Sequence, residues 1–227
     1  MSRTKLKDRI LPDYTHGEEL FNMISHIVGG GLAVLVALAC VVMAAWHGNV
    51  WGLVSGAIYG FTMIVLYTMS SVYHGLRSEM AKKVFQVIDH CTIYFLIAGT
   101  YTPITLTALR PTYPVAAWTI FGIVWGCAAL AATLTAIDLH RYRVFSMICY
   151  IAMGWCIIFW IKPTIEVLTP TGALLILLGG IAYTIGAILY GLGKKHRYMH
   201  AVFHLFVIAG SLLQFFAILL YVMPYKG

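Results

Sequence analysis

Long apolar stretches alternate with short polar breaks along almost the whole chain. The apolar runs predict seven membrane-spanning helices, because each run is close to the roughly 20 residues that a helix needs to cross the hydrocarbon layer. The predicted spans cover residues 22–46, 49–74, 84–108, 114–137, 144–161, 171–192 and 198–222. The connections are short, so consecutive helices are expected to be antiparallel neighbours. We therefore expect an all-α integral membrane bundle, with residues 1–227 as one domain that begins with a short arm of residues 1–20.

The breaks between the runs contain residues typical of turns. His47-Gly48-Asn49 predicts the first turn, and Arg110–Pro114 and Lys162-Pro163 are expected to break the helical pattern. The segment Gly99–Pro103 predicts a kink in the third span, with threonine hydroxyls bonding the carbonyls that proline leaves free. Glycines repeat every four residues in the second span (Gly52, Gly56, Gly60) and the fourth (Gly122, Gly126), which predicts close helix packing at both places.

The composition supports a membrane protein. The chain is 61% hydrophobic and only 10% charged, whereas about a quarter of the residues of a soluble domain are charged. The length of the runs excludes an outer-membrane barrel, whose strands have about 10 residues of alternating polarity. The five cysteines form no CxxC pair, so we interpret them as small buried hydrophobic residues rather than disulfide partners or metal ligands.

The basic residues predict the orientation of the helices. With seven spans, twelve of the fifteen Lys and Arg residues fall on the side of the N-terminus, in the arm and in the 2–3, 4–5 and 6–7 loops. The other side holds only Arg110, Lys162 and Lys226. The positive-inside rule therefore predicts a multi-pass protein of the inner (plasma) membrane, with the N-terminus in the cytoplasm and the C-terminus outside. Orientation accounts for the basic charge, so no nucleic-acid partner is expected.

Four ionisable residues are expected to meet at the cytoplasmic ends of three helices. They are His74, Asp89, His200 and His204. The i, i+4 spacing of His200 and His204 places both imidazoles on one helix face. Charged or ionisable groups in a bilayer are costly unless a partner stabilises them, and three histidines with a carboxylate form a common zinc site. Three histidine ligands leave a coordination position open, as in catalytic sites, although such a set also accepts other divalent ions.

Each member of this set also has a simpler interpretation. An isolated histidine at the interface often only ends a helix, and Asp89 could cap the third helix. Ser70 lies one turn before His74 and could donate to a developing oxyanion or bond back to its own helix. Several residues around the start of the first helix are interpreted as packing groups or as groups that orient a ligand: Glu18, Glu19, Asn22 and His26.

The motifs around these residues resemble those of a known family. The matching segments are SSVYH at 70–74, DHCTIY at 89–94, AGTYTP at 98–103, HAVFH at 200–204, and Gly17-Glu18-Glu19 with Asn22 and His26. In this combination and order they resemble the hemolysin III family, the bacterial branch of the progestin and adipoQ receptor proteins, which includes the adiponectin receptors. The resemblance covers essentially the whole chain.

The resemblance implies a seven-helix bundle with a cytoplasmic N-terminus and an intramembrane zinc ion. It implies that His74, His200 and His204 bind the metal and that Asp89 binds it directly or through water. The receptor branch has hydrolytic activity on ceramide-like lipid amides, and the bacterial branch is named for haemolytic activity. Some bacterial members look like regulators of membrane lipid or energy balance. This chain lacks the long N-terminal region of the animal receptors, which argues against receptor signalling.

Three functional hypotheses follow. In the first, the protein is a zinc-dependent hydrolase of a lipid amide or ester, in which Asp89 orients the water or accepts its proton and Ser70 stabilises the oxyanion. The chain has no Gly-x-Ser-x-Gly motif, which argues against a serine nucleophile. In the second, the protein permeabilises membranes, although the polar groups cluster at one end instead of lining a whole helix. In the third, it is a zinc-containing lipid sensor without catalysis. Membrane lipids are the expected substrate or ligand in the first and third cases.

Overall fold

The computed structural model describes residues 4–192 and 196–225. Lys194 and Lys195 of the predicted basic loop, and Arg3 and Lys226 near the termini, lie outside the described residues. The principal helices are α1 His16–Trp46, α2 Val50–Gly75, α3 Glu79–Pro103, α4 Pro114–Ile137, α5 Arg143–Trp155, α6 Ile161–Leu192 and α7 Met199–Tyr221. Single-turn 3₁₀ segments occupy Leu6–Asp8 and Cys156–Trp160, and a π-helical segment, Ile104–Leu109, extends α3.

Six helical runs in the described part of the chain are long and apolar enough to cross a membrane. Four of them correspond to the first four predicted spans and one to the seventh. The predicted fifth and sixth spans fall in one run, Arg143–Gly191, which has 49 residues. All the regular secondary structure within residues 4–192 and 196–225 is helical, so the expectation of an all-helical, multi-pass membrane protein is confirmed.

Lys162-Pro163 does not break the helix as predicted; the break lies later in the predicted gap of residues 162–170. Helix α6 starts at Ile161 and continues through Pro163, because proline is tolerated in the first turn of a helix, where its missing N–H has no intrahelical role. The backbone departs from the helix at Thr169, with φ 62° and ψ 163°. Thr169 precedes Pro170, and the proline ring disfavours helical geometry in the residue before it.

Helices α1 and α3 also begin several residues earlier than predicted. Helix α1 starts at His16 because Thr15 and Glu18 form a capping box, in which each side chain bonds the backbone N–H of the other residue. Helix α3 starts at Glu79, so Lys83 lies on the helix, where its Nζ is 2.6 Å from Glu79 Oε1 and 2.8 Å from the Lys7 carbonyl. These polar contacts stabilise turns that apolar content alone does not indicate.

The first turn forms as predicted. Gly48 has φ 67° in the first turn, and the Asn49 side chain accepts a hydrogen bond of 2.7 Å from Gly52 N at the start of α2. Near Pro103, the Thr102 hydroxyl donates to the Ala98 carbonyl and the Thr105 hydroxyl to the Tyr101 carbonyl, both at 2.8 Å. The π-helical segment Ile104–Leu109 follows the proline directly.

Helix α3 is the central helix of the bundle. Its most apolar window is 83% buried, far more than that of any other span in the described chain, and α3 contacts α2, α4 and α5. Helices α1 and α2 pack closely together, as do α6 and α7, and α1 also contacts α7. The contact between α1 and α7 places the last helix beside the first, and the histidines of α2 and α7 meet close to α1.

The prediction that repeated glycines allow close helix packing holds for α2 only. A Cβ atom at Gly60 would lie 2.7 Å from Ala37 Cα, and one at Gly56 would lie 3.2 Å from Cys40 Cβ. Apart from their own chain neighbours and the backbone of their own helix, Gly122 and Gly126 have no atom of the described residues within 4 Å of the position of a Cβ. The prediction of close packing at these two positions was therefore wrong for contacts within the chain.

Candidate metal centre and adjoining cavity

Three imidazoles converge at one end of the helix bundle. His74 comes from the last turn of α2, and His200 and His204 come from the first turns of α7. The His74 and His200 Nε2 atoms are 3.2 Å apart, and the His200 and His204 Nε2 atoms are 3.0 Å apart. One ring nitrogen from each histidine lies within 4.8 Å of the other two. The three side chains could therefore hold one metal ion.

The spacing of the nitrogens fits a small divalent ion. Zinc binds histidine nitrogen at about 2.0–2.1 Å, so neighbouring nitrogens of a tetrahedral site are roughly 3.3 Å apart. The two measured Nε2 separations lie close to that value. His74 and His204 are only 3% and 1% exposed, which places the cluster away from solvent.

Two side chains contact the outward-facing nitrogens of the cluster. Glu19 Oε2 lies 2.6 Å from His74 Nδ1, and Ser25 Oγ lies 3.3 Å from His204 Nδ1. When an imidazole donates its Nδ1 hydrogen to a carboxylate, Nε2 keeps a lone pair that can bind a metal. Glu19 also pairs with Lys82, whose Nζ lies 2.6 Å from Glu19 Oε1. The carboxylate is thus held between a cation and the imidazole that it orients.

Aromatic rings enclose the cluster. The His26 ring stacks on the His204 ring with centroids 3.6 Å apart and planes 9° apart. From the N-terminal side, Tyr14 stacks on His200 with a centroid distance of 5.2 Å and also lies 5.9 Å from the His74 ring. Burial raises the pKa of Tyr14 well above that of an ordinary phenol, so the ring stays neutral next to the histidines.

The N-terminal arm of residues 4–15 carries Tyr14 to this position. Thr4 N donates to Asp138 Oδ2 at 2.8 Å, which fixes the start of the arm on the turn between α4 and α5. Lys83 Nζ donates to the Lys7 carbonyl at 2.8 Å, which fixes the middle of the arm on α3. The arm therefore lies across the end of the bundle where the histidines meet.

A cavity of about 140 Å³ adjoins the histidines inside the bundle. Asp89 and Ser70 line it together with His26, His200 and His204. It reaches residues much farther from the cluster along α3 and α5, such as Tyr101 and Trp155, and most of its wall is apolar or aromatic. This arrangement places an acid, a hydroxyl and two of the three cluster histidines at the end of an apolar chamber.

The structure brings the predicted site residues together in two sets. His74, His200 and His204 form the cluster, and Asp89 and Ser70 face the cavity next to it. Among the residues interpreted as packing or orienting groups, Glu19 contacts a cluster histidine directly, whereas Glu18 bonds Tyr198 N at 2.7 Å.

Three residues of the site were not recognised from the sequence. Ser25 was recognisable only by its position, one turn after Asn22 and next to His26. Tyr14 and Lys82 carry no local pattern that indicates a site, and Lys82 contributes only a basic charge to the predicted 2–3 loop. Their role depends on contacts with helices that are distant in sequence.

Comparison with known proteins identifies the family. The family model for haemolysin-III related proteins matches residues 14–215. Hemolysin-3 from Bacillus cereus is 40% identical over 207 residues, which cover 91% of this chain and 93% of that protein. Hemolysin-3 homolog from Bacillus subtilis (strain 168) is 36% identical over 208 residues, covering 92% and 96%.

A human relative is more distant. Monocyte to macrophage differentiation factor from Homo sapiens is 25% identical over 216 residues, covering 90% of this chain and 80% of the human protein. The region that the family model matches, residues 14–215, includes α1 to α6 and most of α7, with all three cluster histidines. The chain belongs to the haemolysin-III related family of membrane proteins.

Proposed function

We propose that this protein is a zinc-dependent hydrolase that cleaves an amide or ester bond of a membrane lipid, with a role in membrane lipid or energy balance. The observation that carries the proposal is the convergence of the His74, His200 and His204 Nε2 atoms at separations of 3.0 and 3.2 Å. Unprotonated nitrogens this close repel each other unless a shared proton or a cation lies between them, and a zinc ion provides that cation.

The residues around the cluster then have distinct roles. A bound zinc ion supplies a Lewis acid that activates water near neutral pH. Glu19 and Ser25 hold the rings of His74 and His204 in place through Nδ1. Asp89 accepts a proton from the attacking water at its carboxylate, and the Ser70 hydroxyl donates to the oxygen that becomes negative at the carbonyl. The apolar cavity accommodates the acyl chain and keeps bulk water away from it.

The first test measures bound zinc by elemental analysis of detergent-purified protein. We expect about one zinc ion per chain in the wild type and almost none in the His200→Ala/His204→Ala double variant, because only one of the three histidine ligands remains in that variant. The control is His140→Ala/His196→Ala, which replaces two exposed histidines away from the cluster and should retain the metal. Equal zinc content in the wild type and in the double variant would overturn the ligand assignment.

A second function is favoured by the names of the relatives. Two of them are called hemolysin-3 or its homolog, which implies permeabilisation of membranes. If this chain acts in that way, liposomes containing it will release an entrapped dye at the same rate with and without bound zinc. Leakage that requires the metal, or no leakage at all, would argue against a simple pore.

We also propose a membrane arrangement. The break at Thr169 divides the run Arg143–Gly191 into parts of about 39 Å and 33 Å, calculated at 1.5 Å per residue. Each part is long enough to cross the roughly 30 Å of hydrocarbon. The chain would then cross the plasma membrane seven times as a single domain, with its N-terminus in the cytoplasm and its C-terminus outside.

A further inference from the structure

Tyr14 is the residue of the N-terminal arm that lies against the histidine cluster. Its ring stacks on the His200 ring with centroids 5.2 Å apart and also lies 5.9 Å from the His74 ring. The residues on either side of it, Asp13 and Thr15, are exposed. His74 is nevertheless only 3% exposed. On the side of the arm, the Tyr14 ring therefore lies between the cluster and the surrounding water.

The cavity lies on a different side of the cluster. His200 and His204 line the cavity, whereas Tyr14 and His74 do not. Most of the cavity wall is apolar or aromatic, so a divalent ion that crossed it would lose its water without gaining ligands. The path past Tyr14 avoids this cost, because the exposed polar residues of the arm begin directly beyond the ring.

The arm is held mainly by polar contacts. Thr4 N donates to Asp138 Oδ2 at 2.8 Å. Lys83 Nζ donates to the Lys7 carbonyl, also at 2.8 Å. The apolar side chains of the arm contribute little, since Ile10 is 93% exposed and none of the others is fully buried. Segments with few buried apolar contacts open at a low free-energy cost, so the arm can leave the cluster while the bundle stays folded.

We propose that the N-terminal arm is a displaceable cover of the candidate metal centre, and that movement of the Tyr14 ring away from His200 sets the rate at which the metal ion exchanges with the surrounding water. The inference rests on the proposed function for the presence of a metal ion, but not for the covering of the histidines. A cover slows binding and release by the same factor, because it contacts the cluster with or without the ion. It therefore changes the kinetics of metal exchange and leaves the affinity unchanged.

The test compares Tyr14→Ala, which removes the ring, with Tyr14→Phe, which keeps it. Zinc release from the detergent-purified, zinc-loaded protein into excess EDTA is followed by elemental analysis, and zinc uptake by the metal-free protein with a chromophoric chelator. We expect Tyr14→Ala to accelerate both steps by about 10-fold, since opening of the arm no longer limits exchange, and to keep the zinc affinity of the wild type. Tyr14→Phe should exchange at the wild-type rate, as should Ile10→Ala, which changes an exposed position of the same arm.

Two outcomes would overturn the proposal. Wild-type rates of release and uptake in Tyr14→Ala would show that the ion moves by another route. Faster release with unchanged uptake, which lowers the affinity, would show that the ring stabilises the histidine ligands instead of covering them.

The attachment of the arm provides a second variant that leaves Tyr14 in place. Lys83→Met removes the donor to the Lys7 carbonyl and should accelerate uptake and release in the same way, but to a smaller extent. Glu79→Gln is its control, because it changes only the other partner of Lys83. Equal rates in these two variants would show that Tyr14 moves without the arm and would overturn the role of the arm as the cover.

The cover can also be tested without the metal. Diethyl pyrocarbonate modifies neutral imidazole from water, and its reaction with His74 of the metal-free protein is followed by mass spectrometry. We expect His74 to react several-fold faster in Tyr14→Ala than in the wild type or Tyr14→Phe, with exposed His140 as the internal reference. If the purified wild type contains no zinc but shows this difference, the proposed function fails and the cover stands. Equal reaction of His74 in the three proteins would overturn the cover.

Discussion

Glu19 is the charged residue on which the geometry of His74 depends most directly. Its two oxygens are used by different partners, Oε2 by His74 Nδ1 and Oε1 by Lys82 Nζ, each at 2.6 Å. A carboxylate in this position orients the imidazole and increases its strength as a metal ligand. Three other polar residues near the start of α1 lie against the same cluster, but unlike Glu19 they carry no negative charge: Asn22, Ser25 and His26.

The first prediction concerns Glu19→Gln. The uncharged amide is a weaker acceptor for the His74 Nδ1 hydrogen and leaves Lys82 without its counter-ion. We expect zinc affinity to fall by about 10–100-fold, the range typical for loss of a residue that orients a metal ligand, in competition titrations with a chromophoric chelator. Glu79→Gln is the control, since Glu79 pairs with Lys83 at an exposed position away from the cluster. Equal affinities in the two variants would contradict the role of Glu19.

At the scale of helices, the interface between α1 and α2 tolerates no side chain at Gly60. We predict that Gly60→Ala lowers the free energy of unfolding by about 1–3 kcal/mol, because the added methyl group meets the backbone of Ala37 and the two helices must move apart. Gly126→Ala should be neutral or stabilising by up to about 1 kcal/mol, since alanine favours the helix and open space surrounds this position. Unfolding in mixed micelles titrated with a denaturing detergent measures both effects. Equal destabilisation by the two variants would show that Gly126 packs as closely as Gly60.

The attachment of the N-terminal arm to the bundle should weaken in acid. Burial by itself would raise the pKa of Asp138, but hydrogen bonds from Thr4 N and Arg141 N outweigh that effect and lower it to about 2. A lowered pKa means that the stabilisation is fully present above the ordinary value of 3.8 and is lost as the pH falls towards 2.

We therefore expect Asp138→Asn to lower the melting temperature at pH 6, with a loss of about 1–3 kcal/mol for a hydrogen-bonded charge. The difference from the wild type should shrink as the pH is lowered from 4 towards 2, because the wild-type carboxylate is then protonated. Exposed Asp13, replaced by Asn, is the control and should have little effect at either pH. A difference between wild type and Asp138→Asn that stays constant with pH would contradict the assignment.

For the whole molecule, the decisive question is whether the two termini lie on the same side of the membrane. Six crossings place them on one side, and seven place them on opposite sides. We predict seven, because the run Arg143–Gly191 is more than twice as long as the hydrocarbon layer is thick and is broken near its middle. A C-terminal alkaline phosphatase fusion in a Gram-negative host should be active, and a C-terminal green fluorescent protein fusion should be dark. The opposite result would indicate six crossings.

Much of the architecture could be predicted because a membrane span is a local property of the sequence. About 20 apolar residues and a flanking polar break are contained within one segment, so the first four spans and the seventh were found, with errors at their ends. The errors arose where polar contacts, rather than apolar content, decide the boundary. Glu79 and Lys83 extend α3 through such contacts. Pro163 did not end a helix because it falls in the first turn of α6.

The sequence by itself determined the helical class, the membrane environment and the residues able to bind a metal, since each depends on side-chain type and short-range spacing. The pairing of His200 with His204 follows from their i, i+4 spacing. Their meeting with His74, 126 residues earlier in the chain, was decided by the tertiary structure. The same holds for Tyr14, Ser25 and Glu19, whose contacts require α1 and the arm to lie against α2 and α7. Such contacts depend on how complete helices pack, which no local pattern of residues encodes.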